Sequence, residues 1–389
     1  MNNQNISKIE ALIEKGVRIP NPHSIEIGDD VNIDNISGNN VVIHSGCKIY
    51  GSSTLIHQGV RLGYEAPATI ENCQIGPDAE LKGGFFKQAV FLKKASMGSG
   101  SHVREGTILE EQASGAHTVG LKQTILFPFV TLGSLINFCD CFMSGGTSRK
   151  DHSEVGSSYI HFNFTANQDK ATPSLIGDVP NGVMLNQRPI FLGGQGGLVG
   201  PCRLAFGTVI AAGSIFRKDE LKPGYLVFEG GKTGSMPFTP GMYLGVPRIL
   251  KNNIIYIANL IALGQWYEHV RSQFISDDFS ESLLDGLKEK LDMGINERIK
   301  RLKDLCGRIN TMAGKWPEME ESVKTGRTEQ GDTVLRDVFL EKIHNSIRNI
   351  GKDYITVIKE LHTEEGVQGI QWLQGITDRI SANVLKITS

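Results

Sequence analysis

The segment 151–178, DHSEVGSSYIHFNFTANQDKATPSLIGD, concentrates polar side chains of several chemical types. It holds two histidines, His152 and His161, together with asparagines, acids and one lysine, in an order too irregular for a single strand or helix. Histidine titrates near neutral pH and can take a proton as a general base. Lysine can bind an anion, and asparagine can orient hydroxyl groups. These residue types predict a loop that carries ligand-binding groups.

The chain on either side of this loop repeats every six residues. The apolar residues spaced by six are Ile27 and Ile33; Ile43, Ile49 and Leu55; Ile75 and Leu81; Met97, Val103 and Leu109; and Leu204, Ile210 and Phe216. A helix would need spacings of three and four, and an amphipathic strand would need sustained spacings of two. A period of six predicts a coil of very short strands, each with one aliphatic side chain pointing inward. Each coil then covers the apolar edge of its neighbour.

The composition divides the chain into three parts. Gly, Val, Ile and turn residues dominate before Pro247, whereas Leu, Lys, Glu and Ile at helical spacing dominate after Lys251. The sequence therefore predicts an N-terminal helix and lead-in at 1–24, a β coil with inserted loops at 25–250, and an α-helical tail domain at 251–389.

Charge and hydropathy exclude several classes of partner. With 40 Lys and Arg against 42 Asp and Glu, the net charge is only -2, which argues against nucleic acid and anionic membranes and favours a small ligand. The apolar run IIYIANLIALG is well short of the roughly 20 residues that a membrane span needs. The N-terminus lacks the layout of a signal peptide, so a cytoplasmic protein is expected. The six cysteines form no CxxC pair and are expected to be reduced and mostly buried.

The stretches YIHFNFTANQDKATPSLIGD and GLVGPCRLAFGTVIAAGSIFRKD resemble a known family of enzymes. They are similar to the acetyltransferase half of the bifunctional UDP-N-acetylglucosamine pyrophosphorylase/glucosamine-1-phosphate N-acetyltransferase, a hexapeptide-repeat acyltransferase. The resemblance covers roughly residues 70–220. It implies a mainly β fold, a left-handed parallel β-helix followed here by the helical domain. No uridylyltransferase domain is expected, because no Gly-rich nucleotide loop with a following basic signature opens the chain.

The resemblance also implies an activity. An acetyl or other acyl group would pass from acetyl-CoA or another acyl-CoA to an amino-sugar phosphate or a nucleotide amino sugar. No metal takes part in that chemistry. The family forms homotrimers with ligand grooves between adjacent subunits, so a homotrimer is expected. The alternatives are a non-catalytic protein that binds a sugar phosphate or nucleotide sugar, and a purely structural coil whose tail recruits partners.

Two histidines remain candidates for the general base. SRKDHSEVG resembles the approach to the family's catalytic histidine, which favours His152, with Asp151 and Glu154 placed to orient it. The chain between His152 and Asn163 is shorter than in the family, however. If the gap lies upstream, His161 takes the catalytic position instead.

The remaining site residues follow from the same resemblance. Arg104 in the tripeptide REG matches an arginine that holds the sugar phosphate, whereas Asp140 and Phe142 stand where the family has a glutamate and a lysine. Arg188, or Lys150 with Arg149, would then supply the missing positive charge. The residues expected to bind the acceptor are Arg104, Lys150, Asn163, Phe164, Asn167, Lys170 and Arg188. Those expected to bind acyl-CoA are Gly193, Gly194, Ala211, Ala212 and Arg248.

Overall fold

Short parallel strands stack into a three-sided coil that is followed by a bundle of helices. The computed structural model describes residues 3–230, 237 and 239–388. Each coil contributes one strand to each of three parallel sheets, so that Ile49 pairs with Ile27 on one side and with Ile70 on the other. The predicted fold class, a parallel β-helix followed by a helical domain, is confirmed.

The three sheets are named face 1, face 2 and face 3 in the order in which the chain visits them. Face 1 comprises Glu26–Ile27, Lys48–Tyr50, Ala68–Glu71, Gly84–Lys87, Ser101–Val103, Gly120–Lys122, Asn137–Cys139, Ile160–Phe162, Gly197–Val199 and Ile215–Phe216. Face 2 comprises Leu55–Ile56, Gln74–Ile75, Ala89–Phe91, Thr107–Leu109, Ile125–Leu126, Cys141–Met143, Ser174–Ile176 and Arg203–Leu204. Face 3 comprises Val42–Ile43, Arg61–Leu62, Glu80–Leu81, Ser96–Met97, Ser114–Gly115, Thr131–Leu132, Glu154–Val155, Phe191–Leu192, Val209–Ile210 and Leu226–Val227. The corners form three edges, called edge 1–2, edge 2–3 and edge 3–1 after the faces that they join.

Except for Ile33 and Leu55, which are only partly buried, the residues spaced by six point into the coil and form its core. On face 3, Ile43 pairs with Leu62, and Leu62 pairs with Leu81; none of the three is exposed to solvent. Stacking in register buries each aliphatic side chain against those one coil above and below. At the corners, residues such as Asn72 and Asp78 adopt positive φ angles of 51° and 58°, which Asn and Asp tolerate better than most residues. The hexads therefore fix both the core and the turns.

The helices lie at the start and at the end of the chain, apart from the short helix Val179–Gly182, which lies between two strands of the coil. Their bounds are α1 Asn3–Glu14, α2 Val179–Gly182, α3 Val246–His269, α4 Glu281–Gly307, α5 Asn310–Ala313, α6 Trp316–Gly326, α7 Thr333–Ile350, α8 Tyr354–Glu360 and α9 Thr363–Thr388. Three 3₁₀ helices span Pro22–Ser24, Ile33–Asn35 and Arg271–Phe274. Helix α3 begins at Val246, so the predicted boundary at 251 falls inside a helix. Within the described residues, no helix has the length and hydropathy to cross a membrane.

The helical tail packs on face 2. Helix α4 contacts three strands of that face, and α3 contacts the strand Ser174–Ile176. Five consecutive outward-pointing side chains of face 2 are correspondingly apolar and at most 4% exposed: Val90, Ile108, Ile125, Phe142 and Leu175. In the middle of face 3 the equivalent positions hold polar, partly exposed residues such as Glu80, Ser114 and Thr131, whereas apolar residues occur outward only toward its two ends. The tail and the coil thus share one hydrophobic core.

Two buried ion pairs connect the tail to the coil. Arg298 of α4 donates to Asp140 at 2.7 Å, and Arg271 donates to Glu111 at 2.5 Å. Neither arginine is more than 3% exposed. Burial raises the pKa of the Asp140 carboxyl despite the attraction of Arg298. These pairs set the position of the tail along the coil, because a shifted tail would leave buried charges unpaired.

Replacing Phe142 should test how strongly face 2 depends on the tail. Its ring is fully buried and packs edge-on against Phe127, with ring centroids 4.7 Å apart. Phe142→Ala should lower the free energy of unfolding by about 3 to 5 kcal/mol, measured by chemical denaturation, because it removes a large side chain from a packed interior. Val334→Ala is the control, because Val334 lies on α7 and is 71% exposed. Equal losses for the two variants would mean that face 2 gains little from its cover.

Candidate functional site

The segment 151–178, predicted to be a single irregular loop, contains four strands, Asp151–His152, Glu154–Val155, Ile160–Phe162 and Ser174–Ile176. Its irregular loop runs from residue 163 to 173 and crosses edge 1–2. It is held in shape by its own side chains. The Asp169 backbone N–H donates to Thr165 Oγ1 at 3.0 Å, and Asp169 Oδ1 accepts from the Ala171 N–H at 2.9 Å. The Thr172 hydroxyl donates to Asn163 Oδ1 at 3.1 Å. This pattern explains why the segment is polar and yet forms neither strand nor helix.

The loop is also fixed to the residues around the tail. Asn167 Nδ2 donates to the Met242 carbonyl at 3.0 Å, and Asn167 Oδ1 accepts from the Gly241 N–H at 2.9 Å. Arg308, at the end of α4, donates to the Asn167 carbonyl at 2.6 Å. The Asn167 amide, expected to orient substrate hydroxyls, therefore uses both its polar atoms to hold the loop.

Three other predicted residues on edge 1–2 are open to solvent. Phe164 is 64% exposed, and the Lys170 and Arg104 side chains are exposed as well. Lys170 has a positive φ angle of 59°, which turns the chain back toward face 2. Among the residues assigned to the acceptor, these three remain free to contact a ligand on this edge.

His152 lies on edge 2–3, in a two-stranded antiparallel hairpin. Strand Gly146–Ser148 pairs with strand Asp151–His152, and the Gly146 N–H donates to the Gln187 carbonyl at 2.9 Å. The next residue, Ser153, fixes the hairpin to the coil by donating to the Ser144 carbonyl at 2.8 Å. The histidine is therefore held on a rigid support at the outside of the coil.

The surroundings of the His152 ring fit proton transfer. Its Nε2 lies 3.8 Å from Glu154 Oε2, while its Nδ1 is buried and has no hydrogen-bond partner within the described chain. The side chain is 19% exposed, so the ring is sheltered without being sealed. A nearby carboxylate favours the imidazolium that forms when a histidine accepts a proton.

His161 lies inside the coil. It occupies the inward position of face 1, where it pairs with Leu198, and it is 4% exposed. Its Nε2 is 2.8 Å from Ser174 Oγ. Burial lowers the pKa of its imidazole from 6.5 to about 4. A ring in this position replaces one aliphatic member of the inward row and does not face a groove on the outside of the coil.

The predicted cationic residues Lys150 and Arg188 share edge 2–3 with His152. Lys150 is exposed at the tip of the hairpin. The Arg188 guanidinium lies over two glycines of later coils: a Cβ atom added to Gly207 would be 3.3 Å from it, and one added to Gly224 would be 2.7 Å from it. The absence of side chains at these glycines makes room for the arginine. Edge 2–3 therefore combines a histidine with two exposed cations.

The residues expected to bind acyl-CoA lie on edge 3–1, apart from Arg248. A Cβ added to Gly193 would be 2.3 Å from the Ala212 nitrogen, so only glycine fits between these stacked corners. The N–H groups of Gly193 and Ala211 both donate to the next coil, at 2.8 Å. Arg248, on α3, donates to the Pro201 carbonyl at 2.7 Å and so joins the tail to edge 1–2.

The predicted site residues thus divide among the three edges of the β-helix. The loop residues and Arg104 are on edge 1–2, His152 with Lys150 and Arg188 on edge 2–3, and the small residues on edge 3–1. The three edges of the β-helix face in different directions, so the three groups of residues do not come together within one chain. Among the described residues, no cluster of three or more His, Cys, Asp or Glu side chains could hold a metal ion.

The buried His161 predicts a dependence of stability on pH. Its folded-state pKa is lowered, so the protonated form is disfavoured in the folded protein, and stability falls as the pH drops from the unfolded value of 6.5 toward about 4. The difference between the unfolded and folded pKa values corresponds to about 3 kcal/mol of unfolding free energy. His161→Leu fits the inward row beside Leu198 and should flatten unfolding free energy, measured by denaturant titration, across this pH range. An unchanged slope in the variant would show that other groups cause the acid lability.

Comparisons with known proteins found similarity to part of a larger enzyme. The chain is 28% identical over 213 residues to the bifunctional protein GlmU of Thermotoga sp. (strain RQ2), which covers 54% of this chain and 42% of the relative. It is 25% identical over 224 residues to GlmU of Corynebacterium aurimucosum, covering 58% of this chain and 41% of that protein.

The chain therefore spans about two fifths of the length of these curated relatives. A solved structure of LpxA from Acinetobacter baumannii aligns with a TM-score of 0.23 and 15% identity over 55% of this chain and 70% of that one, a likeness too low to carry an argument. No family model matches the chain. The resemblance to the bifunctional enzymes that the hexads and the IGD and IAAG stretches predict is confirmed by the similarity to GlmU.

Proposed function

We propose that the protein is an acyltransferase of the hexapeptide-repeat class. It moves an acetyl or other acyl group from acyl-CoA to the amine of an amino-sugar phosphate or a nucleotide amino sugar. The observation that carries this proposal is His152, a sheltered histidine whose Nε2 lies beside Glu154 and whose Nδ1 has no partner within the described chain. Similarity to GlmU over about half of the chain supports the reaction class.

In the proposed reaction His152 acts as the general base. The acceptor enters as an ammonium ion, which has no lone pair until it loses a proton. His152 removes that proton as the nitrogen attacks the thioester carbon; the new N–C bond forms, the C–S bond breaks, and the thiolate of coenzyme A leaves and is protonated. Glu154 stabilises the imidazolium, and Lys150 and Arg188 neutralise the acceptor phosphate on the same edge.

The proposal places His152 and the acceptor-binding residues of two edges together between copies of the chain. The tail covers face 2, so faces 1 and 3 remain for contact between copies. When face 1 of one copy meets face 3 of the next with parallel coil axes, edge 1–2 of the first lies beside edge 2–3 of the second. Arg104 and Lys170 of one copy then approach His152 of its neighbour. A ring of three such heterologous contacts gives the homotrimer.

One observation favours the non-catalytic alternative, a protein that binds a sugar phosphate or nucleotide sugar without reaction. Asp140 and Phe142 stand where the family has a glutamate and a lysine, and both are buried beneath the tail. Asp140 is bonded to Arg298. The acceptor contacts that the family makes at these positions are therefore absent here, and other residues must supply them.

The histidine assignment can be tested by thiol release from acetyl-CoA with a panel of amino-sugar phosphates. His152→Ala should lower turnover by roughly 10² to 10⁴-fold, because it removes the base, while leaving affinity for coenzyme A nearly unchanged. His344→Ala is the matched control, because His344 is an exposed histidine on α7 of the tail, outside faces 1 and 3. If wild-type protein binds the panel but releases no thiol, the non-catalytic alternative is correct.

Arg104→Ala should separate phosphate recognition from sugar recognition. We expect affinity for an amino-sugar phosphate to fall about tenfold or more, because a charge-assisted contact is lost, while affinity for the dephosphorylated sugar stays unchanged. Isothermal titration calorimetry measures both. Arg217→Ala, at an exposed arginine on the same edge near the end of the coil, controls for net charge. An equal loss for both ligands would assign Arg104 to the coil instead of the site.

The proposed assembly predicts a mass in solution three times that of one chain. Light scattering at decreasing protein concentration measures it together with thiol release from the same samples. Ile160→Glu and Phe191→Glu, outward on faces 1 and 3 and each 39% exposed in one chain, should dissociate the trimer and abolish turnover together. A monomer with undiminished turnover would contradict a site shared between copies.

A further inference from the structure

A cavity of about 660 Å³ lies where the helical tail meets edge 2–3 of the coil. Lys93, Lys94 and Gln112 line it from the coil. From the tail it is lined by the 3₁₀ helix Arg271–Phe274, the loop that follows, and the start of α8. Its volume is in the range of small-molecule sites. None of the residues assigned to acyl transfer lines it.

The inner wall of the cavity holds an incompletely bonded ion pair. Arg271 and Glu111 both line the cavity, and Arg271 Nη2 donates to Glu111 Oε1. The guanidinium is clamped between two rings, 3.8 Å from the Tyr354 centroid and 4.4 Å from that of Phe279. Yet Glu111 Oε2 and Arg271 Nη1 and Nε are buried without a hydrogen-bond partner in the described chain. One unpaired acceptor and two unpaired donors thus lie side by side at a cost in free energy.

The outer wall carries two lysines that form no salt bridge within the described chain. Asp278 is paired with Lys93 at 2.5 Å and also accepts from Gln58, and Asp353 caps α8 by accepting from Thr356. The Lys94 ammonium has no ion pair within the described chain, and that of Lys352 donates only to the Ile275 carbonyl, at 2.7 Å. Two lysines therefore remain to contact an anion, and the carboxylates of Asp277 and Asp353, which form no salt bridge within the described chain, lie on the same wall.

From this arrangement we propose that the cavity binds a small phosphorylated polyhydroxy compound, such as a sugar phosphate. A hydroxyl both donates and accepts, so it satisfies Glu111 Oε2 and Arg271 Nη1 together. The phosphate lies between Lys94 and Lys352. Phe274 and Tyr354 supply an apolar surface for the carbon skeleton. A purely apolar ligand would leave the inner atoms unpaired, and an inorganic anion would not reach both walls.

The position of the cavity connects this ligand to the proposed active edge. Arg149, in the hairpin that carries His152, donates to the carbonyl of Gln112, which lines the cavity, at 3.0 Å. It donates as well to the Phe129 carbonyl and to Thr131 Oγ1. A ligand that contacts both coil and tail stabilises the docked tail and the corner to which the hairpin is bonded. The cavity is thus placed to act as an effector site.

Calorimetric titration of full-length protein with glucose 1-phosphate tests the site. This probe has no amine, so it cannot serve as the acyl acceptor, and its binding is independent of whether acyl transfer occurs. Lys94→Ala and Lys352→Ala should each weaken its binding about tenfold, because each removes a cation from the phosphate. Lys303→Ala, an exposed lysine on α4 away from the cavity, removes the same charge and should bind as wild type does. Both cavity lysines are at the surface, so these variants should fold.

Glucose and inorganic phosphate complete the experiment. Each should bind more weakly than glucose 1-phosphate. Glucose can contact the inner wall but has no phosphate for the lysines, and inorganic phosphate can contact the lysines but does not reach the inner wall. Phosphate that binds as tightly as glucose 1-phosphate would overturn the role of Glu111 and Arg271. Glucose 1-phosphate that does not bind, or binds equally to wild type and to both cavity variants, would overturn the site itself.

Discussion

The contact between face 2 and helices α3 and α4 determines most of what this molecule can do. A parallel coil needs only its inward rows to be apolar, yet here a second row, from Val90 to Leu175, points outward and is buried. Exposed to water, that row would be an apolar strip along one whole side of the coil, and such strips associate. The tail covers it within the same chain. Face 2 is thereby withdrawn from contact with other molecules, and any shared site must use faces 1 and 3.

The period of six was sufficient to predict the coil, because each inward side chain is dictated by stacking alone. The cover on face 2 was not predicted, although the sequence carries a signal for it. In the middle of the coil, strands of face 3 read polar then apolar, as in Glu80-Leu81, whereas those of face 2 read apolar twice, as in Val90-Phe91 and Ile108-Leu109. Two adjacent apolar residues in a short strand need a core on one side and a partner on the other. A count of such pairs would have indicated a covered face.

The site was harder to predict than the fold, for a physical reason. The loop histidines look alike in the sequence, but one residue of register decides whether a side chain points into or out of a strand. Phe138, His161 and Leu198 occupy the same inward position in successive strands of face 1. Aligning these strands in the sequence would have placed His161 in the inward row. The use of Asn167 could not be predicted in this way. Its partners Gly241 and Met242 are more than 70 residues away, and only the docked tail brings them close.

The buried ion pairs explain why the tail docks in one position. Apolar contact between a helix and a flat sheet tolerates sliding, since a shift by one coil places another aliphatic residue at the same spot. Charges do not tolerate it: Arg298 and Arg271 meet Asp140 and Glu111 only in one register, and a slipped tail would leave all four buried groups unpaired. Such pairs contribute little net stability, but they favour the correct register of the tail over slipped ones. The same register brings Arg308 to Asn167 and closes the cavity beside Lys94, so the charged pairs that fix the tail also shape both the loop and the proposed effector site.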